Sequence, residues 1–430
     1  MGTVLIGGFF LLLALSVPIG FALGIATMAA IWTHGGLPMS LLAQRTLVGA
    51  DSYALLAIPF FILAGNLMNG GGITTRIIDL ANAIVGRFRG GLALTSVLAA
   101  MIFSGLSGSA AADASALGKV LIPAMKRQGY SGGFAAALMA SACVNGPIIP
   151  PSIPLVIYGL SAAKGVPIIA LFLGGIVPGV LLGLALMVAA YWIALRRDYP
   201  VARAVPLREI PRLVPPALWA LMMPVIILVG VVGGVVTVTE SATIAVVYAG
   251  LVGFFVYREL ELRSLWPILV QTALDTALVT FIIALSSGFG WLLAVSGMPR
   301  AMAAWIASVS SDPTVVLAMI NVLLLVIGIF MEPLPALFIL IPVLVPVVQA
   351  VGIDLVHFGL VMVFNLCLGL ITPPVGILLY ICANFAGVKL EEESRELGPF
   401  LLAGVAVLAI ISFVPATVLW LPRVLVGYGG

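Results

Sequence analysis

Apolar runs long enough to cross a bilayer recur from one end of this 430-residue chain to the other. No other feature limits its fold as strongly. A transmembrane helix needs about 20 predominantly apolar residues. Hydrophobic residues make up 63% of the chain and charged residues 8%, against roughly a quarter charged in a soluble domain. Such a chain cannot cover a globular surface with polar groups. Segments such as "VLLLVIGIF" lack the alternation of a membrane β-barrel, so the expected class is an all-α polytopic membrane protein. The first run, "VLIGGFFLLLALSVPIGFALGIATMAAIW", has no basic leader and is too long for a cleavable signal. It reads as the first span. Cys143, Cys367 and Cys382 lack ligand spacing, and His34 and His357 lie far apart. A transition-metal site or bound cofactor is therefore not expected, and nothing points to nucleic acid.

Spans are expected near 4–32, 50–69, 132–163, 167–195, 213–236, 240–257, 268–296, 355–387 and 397–425, with interfacial arms at 73–88 and 299–311. The loop "RRDYPVARAVPLREIPR" (196–212) holds five Arg, which places it in the cytoplasm. "RFRG" at 87–90 and "KRQ" at 126–128 should lie there too. Residues 91–125 between them are too few to cross twice, so they read as a re-entrant helical hairpin with "SGLSGSAAADAS" (104–115) at its tip. Residues 313–350 form a second such segment, interrupted at "MEPLP" (331–335). Its flanks carry no Lys or Arg, so it should open from the outer side. This topology starts from a cytoplasmic N-terminus and ends outside.

The two halves share a plan. Matching "LIP" at 121–123 with "LIP" at 340–342 gives an offset of 219, which puts Asp113 opposite Glu332. After each hairpin comes a helix broken at paired prolines, "VNGPIIPPSIPLVIYG" and "GLITPPVGILLYICA". Pro150–Pro151 then pairs with Pro373–Pro374 if the second copy gains four residues. The expected repeats are 1–195 and 237–430, joined by a loop and span over 196–236. Inverted repeats with broken helices point to a secondary transporter.

Broken helices present bare carbonyls, which suit Na⁺, and bare amides, which suit an anion. Thr372 before Pro373 reads as an N-cap. Asn145, Gly146 and Ser152 stand at the first break. Opposite the breaks would sit the tips, Ser104, Gly105, Ser107, Gly108 and Ser109 in one half and Gly328, Met331 and Glu332 in the other. Asp113 and Glu332 could instead serve only their helix starts, and Glu240 could cap a helix near the outer surface. "KLEEESRE" (389–396) reads as a solvated loop. "GLSG" at 105–108 matches the G-x-S-G of intramembrane serine proteases, but neither histidine falls at the depth of Ser107. A passive channel would need rings of carbonyls or charges. An enzyme is not expected.

The blocks "SGLSGSAAADASALG", "NGPIIPPSIPLVIYG", "TVTESA" and "ITPPVG" together resemble the large membrane subunit of tripartite ATP-independent periplasmic (TRAP) transporters. The likeness runs along essentially the whole chain, although the family usually shows "TPTEAA" where this chain has "TVTESA". The resemblance implies a sodium-driven importer of organic anions in the bacterial inner membrane, working as an elevator of the ion-transporter type. It implies two partners besides membrane lipid: a small four-helix membrane subunit, expected here as a separate polypeptide, and a periplasmic substrate-binding protein. Carried over by position, sodium contacts fall on Ser104, Gly105, Ser107, Gly108, Asn145, Pro150, Gly328, Thr372 and Gly376. Substrate contacts would fall on Ser109, Asp113, Gly146, Ser152, Glu332 and Pro373.

Overall fold

The computed structural model describes residues 1–15, 17–51, 53–162, 166–201, 210–297, 301, 310 and 312–429. Helices account for its regular structure, and no strand occurs among the described residues. Seven helices among them are long and apolar enough to cross a membrane. Most of the expected arm at 299–311, and residues 202–209 of the basic loop at 196–212, lie outside the described residues.

The first half contains α1 (Gly2–Ala14), α2 (Ile19–His34), α3 (Ser40–Ala50), α4 (Ala57–Gly70) and the short arm α5 (Ile73–Val85). The hairpin α6 (Gly91–Ser107) and α7 (Ala110–Arg127) follows, then the broken helix α8 (Gly132–Cys143) and α9 (Ile153–Ser161), then α10 (Ile168–Arg196). The second half repeats this order. It has α11 (Ile210–Val232), α12 (Val238–Leu251) and α13 (Leu262–Val295), then a hairpin of α14 (Pro313–Phe330) and α15 (Pro333–Ala350). The broken helix α16 (Leu355–Gly369) and α17 (Ile377–Ala386) leads into α18 (Leu390–Phe413) and α19 (Ala416–Val426). Several of these starts carry side-chain caps that satisfy an orphan N–H: Ser109 for α7, Ser131 for α8, Ser152 for α9, Asp312 for α14 and Asp354 for α16.

Contacts at the two ends of the molecule fix the sense of each half. At the basic end Lys126 donates to the Ala386 carbonyl, Gly133 packs on the Glu392 backbone, and Arg197 makes a two-pronged pair with Glu396 at 2.9 and 2.7 Å. At the opposite end the Tyr158 hydroxyl donates to the Leu355 carbonyl at 2.8 Å, and that of Tyr428 donates to Asp354 at 3.1 Å. Helices α8 and α9 thus run from the basic end through the middle to the other end, and α16 and α17 run the reverse way. The α6–α7 hairpin opens at the basic end and the α14–α15 hairpin at the opposite end. The repeats are inverted, as expected.

Four details differ from expectation. Residues 4–32 are not one span. Pro18 precedes α2, where it can neither donate a backbone hydrogen bond nor continue a helix without a clash, and α1 folds back so that Gly8 meets Ala26. Because α2 follows α13 outward (Gly20 on Phe281, Gly24 on Leu285), both ends of this hairpin lie away from the basic end. Second, 397–425 is interrupted before Pro415, between α18 and α19. Third, "KLEEESRE" is the first turns of α18, its acids complementing the helix start, and Glu393 is fully buried. Fourth, the repeat offset is 223, not 219. Ser109 and Glu332 are the equivalent N-caps of the hairpin returns, and Pro150 meets Pro373 with no insertion. Pro342 and Pro346 stand one turn apart on α15. The identical "LIP" triplet chose the wrong one, and Asp113 corresponds to Ala336.

Candidate functional site

The first hairpin tip is closed by its own polar groups. Helix α6 ends at Ser107, and Gly108 follows with φ of 63°, a left-handed C-cap. A Cβ there would also lie 2.6 Å from the Pro151 carbonyl oxygen, so glycine is required twice over. Ser109 caps α7. Asp113, one turn on and fully buried, accepts hydrogen bonds from Ser104 Oγ at 3.1 Å and from Ser107 Oγ. The carboxylate therefore ties the end of α6 to the start of α7, and Ser107 is engaged by Asp113 rather than by a histidine. His357 instead meets the Ile411 carbonyl at 2.8 Å.

The first break packs directly on this tip. Gly105 faces the Pro150 carbonyl, and a Cβ on Gly146 would come within 2.8 Å of the Ala110 nitrogen and of Asp113 Oδ2. Ser152 caps α9 through the Leu155 N–H at 3.2 Å and donates to the Pro147 carbonyl. Asn145 is fully buried, and its Nδ2 reaches the Ala142 carbonyl at 3.4 Å. Its Oδ1 has no hydrogen-bond partner among the described residues. A buried acceptor left bare costs about 1–3 kcal/mol, which a cation would recover.

The second break is built differently. Gly369 packs on the Gly328 carbonyl, and a small cavity beside them is lined by Gly328, Met331, Glu332 and Gly376. Thr372 is not an N-cap: its hydroxyl donates back to the Leu368 carbonyl at 2.8 Å, and α17 starts after Gly376, with φ of 23°. Among the described residues, Thr372 and Pro373 line none of the cavities around the tips.

Both tips and both breaks meet in the middle of the molecule. A cavity of 130 Å³ lies between Gly108, Ser109, Pro147 and Ile153 on one side and Glu332, Pro333, Leu370 and Ile377 on the other. A larger one of 270 Å³ separates the tips from α4 and α13, with Asn66, Asn69, Ser107, Ser109, Asp275 and Glu332 on its wall. Of the residues expected to touch substrate, Ser109 and Glu332 reach this cavity, while Asp113, Gly146 and Ser152 are packed beneath the tip. Asn66, Asn69 and Asp275 were not expected. The signal for Asp275 was present, an acid inside the apolar run "TALDTALV". At the outer turn before α12, Thr237 and Glu240 form a capping box, with Thr237 N to Glu240 Oε2 at 2.7 Å, so Glu240 has a structural partner.

Comparison with known proteins agrees with this architecture. The chain is 40% identical to the sialic acid TRAP transporter large permease protein SiaM of Vibrio cholerae, over 97% of each chain. It is 41% identical to the C4-dicarboxylate TRAP transporter large permease protein DctM of Pseudomonas aeruginosa, over 89% of each. Against the isethionate TRAP transporter permease protein DctMQ of Oleidesulfovibrio alaskensis it is 42% identical over 96% of its own length, and it spans 65% of that protein. In fold it is similar to the YdaH transporter of Alcanivorax borkumensis, with a TM-score of 0.60 at 15% identity over 90% of this chain and 88% of that one. Residues 6–417 match the family described as "Tripartite ATP-independent periplasmic transporter, DctM component", and the chain belongs to that family.

Proposed function

We propose that this protein takes up an organic acid by sodium-coupled secondary transport, receiving it from a periplasmic binding protein and working beside a small membrane subunit. The observation that carries the reading is the meeting of two inverted hairpin tips and two broken helices at one mid-protein cavity, with Asn145, whose Oδ1 is bare, buried at the first break. Carbonyls and an amide oxygen, without a chain of titratable groups, suit Na⁺ over H⁺. Ser104, Gly105, Ser107, Gly108, Asn145 and Pro150 would hold one ion. Gly328 and Gly376 would hold another, with Thr372 and Pro373 in the same turn. The relatives named above carry isethionate, sialic acid and C4-dicarboxylates, all organic acids. In an elevator, the hairpins and broken helices would move as a body past α4, α12 and α13, and the 270 Å³ cavity lies on the sliding surface. With the basic end in the cytoplasm, both chain termini lie outside. The N-terminus differs from the expectation because residues 1–34 double back.

Uptake into proteoliposomes tests this. The chain and its small subunit are reconstituted, labelled acids are presented on candidate delivery proteins, and a Na⁺ or an H⁺ gradient is imposed. Uptake that needs both Na⁺ and the delivery protein is expected. Uptake with Na⁺ alone would remove the binding protein, and an H⁺ requirement would remove the sodium sites.

A further inference from the structure

We infer that a phospholipid whose head carries a primary ammonium beside its phosphate binds at the end of the molecule away from the basic loops, between Arg423 and Asp354. The starts of α14 and α16, the end of α18 and helix α19 enclose a cavity of 310 Å³ there. Among the described residues it shares no lining residue with the cavities around the tips. Asp354 and Arg423 both stand on its wall, yet neither is in an ion pair with the other or with any described residue. Opposite charges held apart across one cavity call for a ligand that carries both signs.

The hydrogen-bonding groups are sorted the same way. On the α16 side they accept. Asp354 Oδ1 caps the helix, taking the Val356 and His357 N–H groups at 2.8 and 2.9 Å, while Oδ2 takes only the Tyr428 hydroxyl at 3.1 Å. A carboxylate oxygen has two lone pairs, so Oδ2 can accept once more. His357, 3% exposed, lies on the same wall. Its Nε2 stands 2.8 Å from the Ile411 carbonyl, which can only accept, so Nε2 carries the proton of the neutral ring. Nδ1 is then a bare acceptor without a partner among the described residues. An ammonium satisfies both Nδ1 and Oδ2. On the α18 and α19 side the groups donate. Arg423 offers a guanidinium with no acid on it, the side chain best matched to a phosphate. Ser412, 2% exposed, accepts from Asn321 at 2.9 Å, which leaves its own hydroxyl proton to donate. A lipid suits the surroundings better than a free zwitterion does. Leu317, Phe413 and Leu419 line the cavity. Trp420, Val424 and Leu425 are exposed on the helix that carries Arg423, an apolar and aromatic fringe of the kind that sits at a membrane surface.

Thermal stabilisation of the purified, delipidated full chain in detergent, read against lipid concentration, tests this. Dioleoyl phosphatidylethanolamine should act at concentrations about tenfold below dioleoyl phosphatidylglycerol, which lacks the ammonium, and dioleoyl phosphatidylcholine, whose ammonium has no N–H. Arg423→Gln changes an exposed side chain and should raise the phosphatidylethanolamine concentration needed by about tenfold. Asp354→Asn keeps the capping oxygen and removes the charge, so phosphatidylethanolamine should fall to the level of phosphatidylcholine. Phosphatidylglycerol equal to phosphatidylethanolamine in wild type would overturn the ammonium, and phosphatidylcholine equal to it would overturn the N–H donors. An unchanged response in either variant would overturn the placement between these two residues. Glycerophosphoethanolamine, the same head without acyl chains, acting at the lipid's concentration would overturn the lipid in favour of a soluble zwitterion. No stabilisation by any of them would overturn the site. The transport reading uses none of these residues and stands apart from every outcome.

Discussion

Asp113 is the residue whose role changed most between sequence and structure. A lone acid in a small-residue tip reads as an ion or substrate ligand, yet its carboxylate is spent on Ser104 and Ser107. Asp113→Ala should lower stability by about 1–3 kcal/mol by removing the acceptor that joins the two hydroxyls across the tip, leaving Ser104 the Ala100 carbonyl at 2.7 Å and Ser107 the Ser109 carbonyl at 3.4 Å, measured as loss of the thermal unfolding midpoint in detergent. Asp113→Asn, which keeps one acceptor, should fall between. Glu393 presents the opposite case. Both of its carboxyl oxygens are buried with no partner among the described residues. Replacing a buried, unpaired acid with an apolar residue of similar volume is neutral or stabilising, so Glu393→Met should hold or raise stability, by up to about 1–2 kcal/mol, read as an unchanged or higher melting temperature. A clear loss of stability would mean that the carboxyl has a role in binding.

At the scale of elements, the hairpins and breaks depend on glycines where backbone meets backbone. Gly108 and Gly146 press on the Pro151 carbonyl and on the start of α7. Gly108→Leu should abolish uptake while membrane insertion, followed by yield and monodispersity, persists. Asp312 caps α14 at the opposite end, and the Thr314 N–H holds its carboxyl below the usual carboxylate range. A depressed value stabilises only the charged form. Its contribution is therefore complete at neutral pH and is lost as pH falls through the lowered value. Asp312→Asn should flatten that part of the acid limb in a melting-temperature profile. The tips, the breaks and the first arm were legible before the fold because each is announced locally. A proline without an N–H, a left-handed glycine and a Ser or Asp cap state where a helix ends or starts. The N-cap expected at Thr372 failed for a local reason too. Its hydroxyl bonds back into α16, a competing use open to any threonine after a helical turn.

In the proposed elevator, the hairpins and broken helices would form the moving body and α4 and α13 part of the scaffold, and Gly65 of α4 stands against Ser107 of the tip at 3.4 Å from a built Cβ to Cα. That approach is within disulfide reach. The Gly65→Cys, Ser107→Cys pair, oxidised, should arrest uptake, and reduction should restore at least the rate of the reduced double variant. Transport at full rate by the oxidised form would show that the two bodies need not slide. By itself the sequence determined the membrane class, the two hairpins, the two breaks and their inverted order, because backbone groups in a bilayer must be satisfied within each segment. Only the tertiary structure decided that residues 1–34 fold back, that the repeats register at 223, that Glu393 is buried, and that Asp275 and Asn66 face the tips. Each of these depends on helices packing side by side, and which face of an apolar helix meets which neighbour is not written in its hydrophobicity.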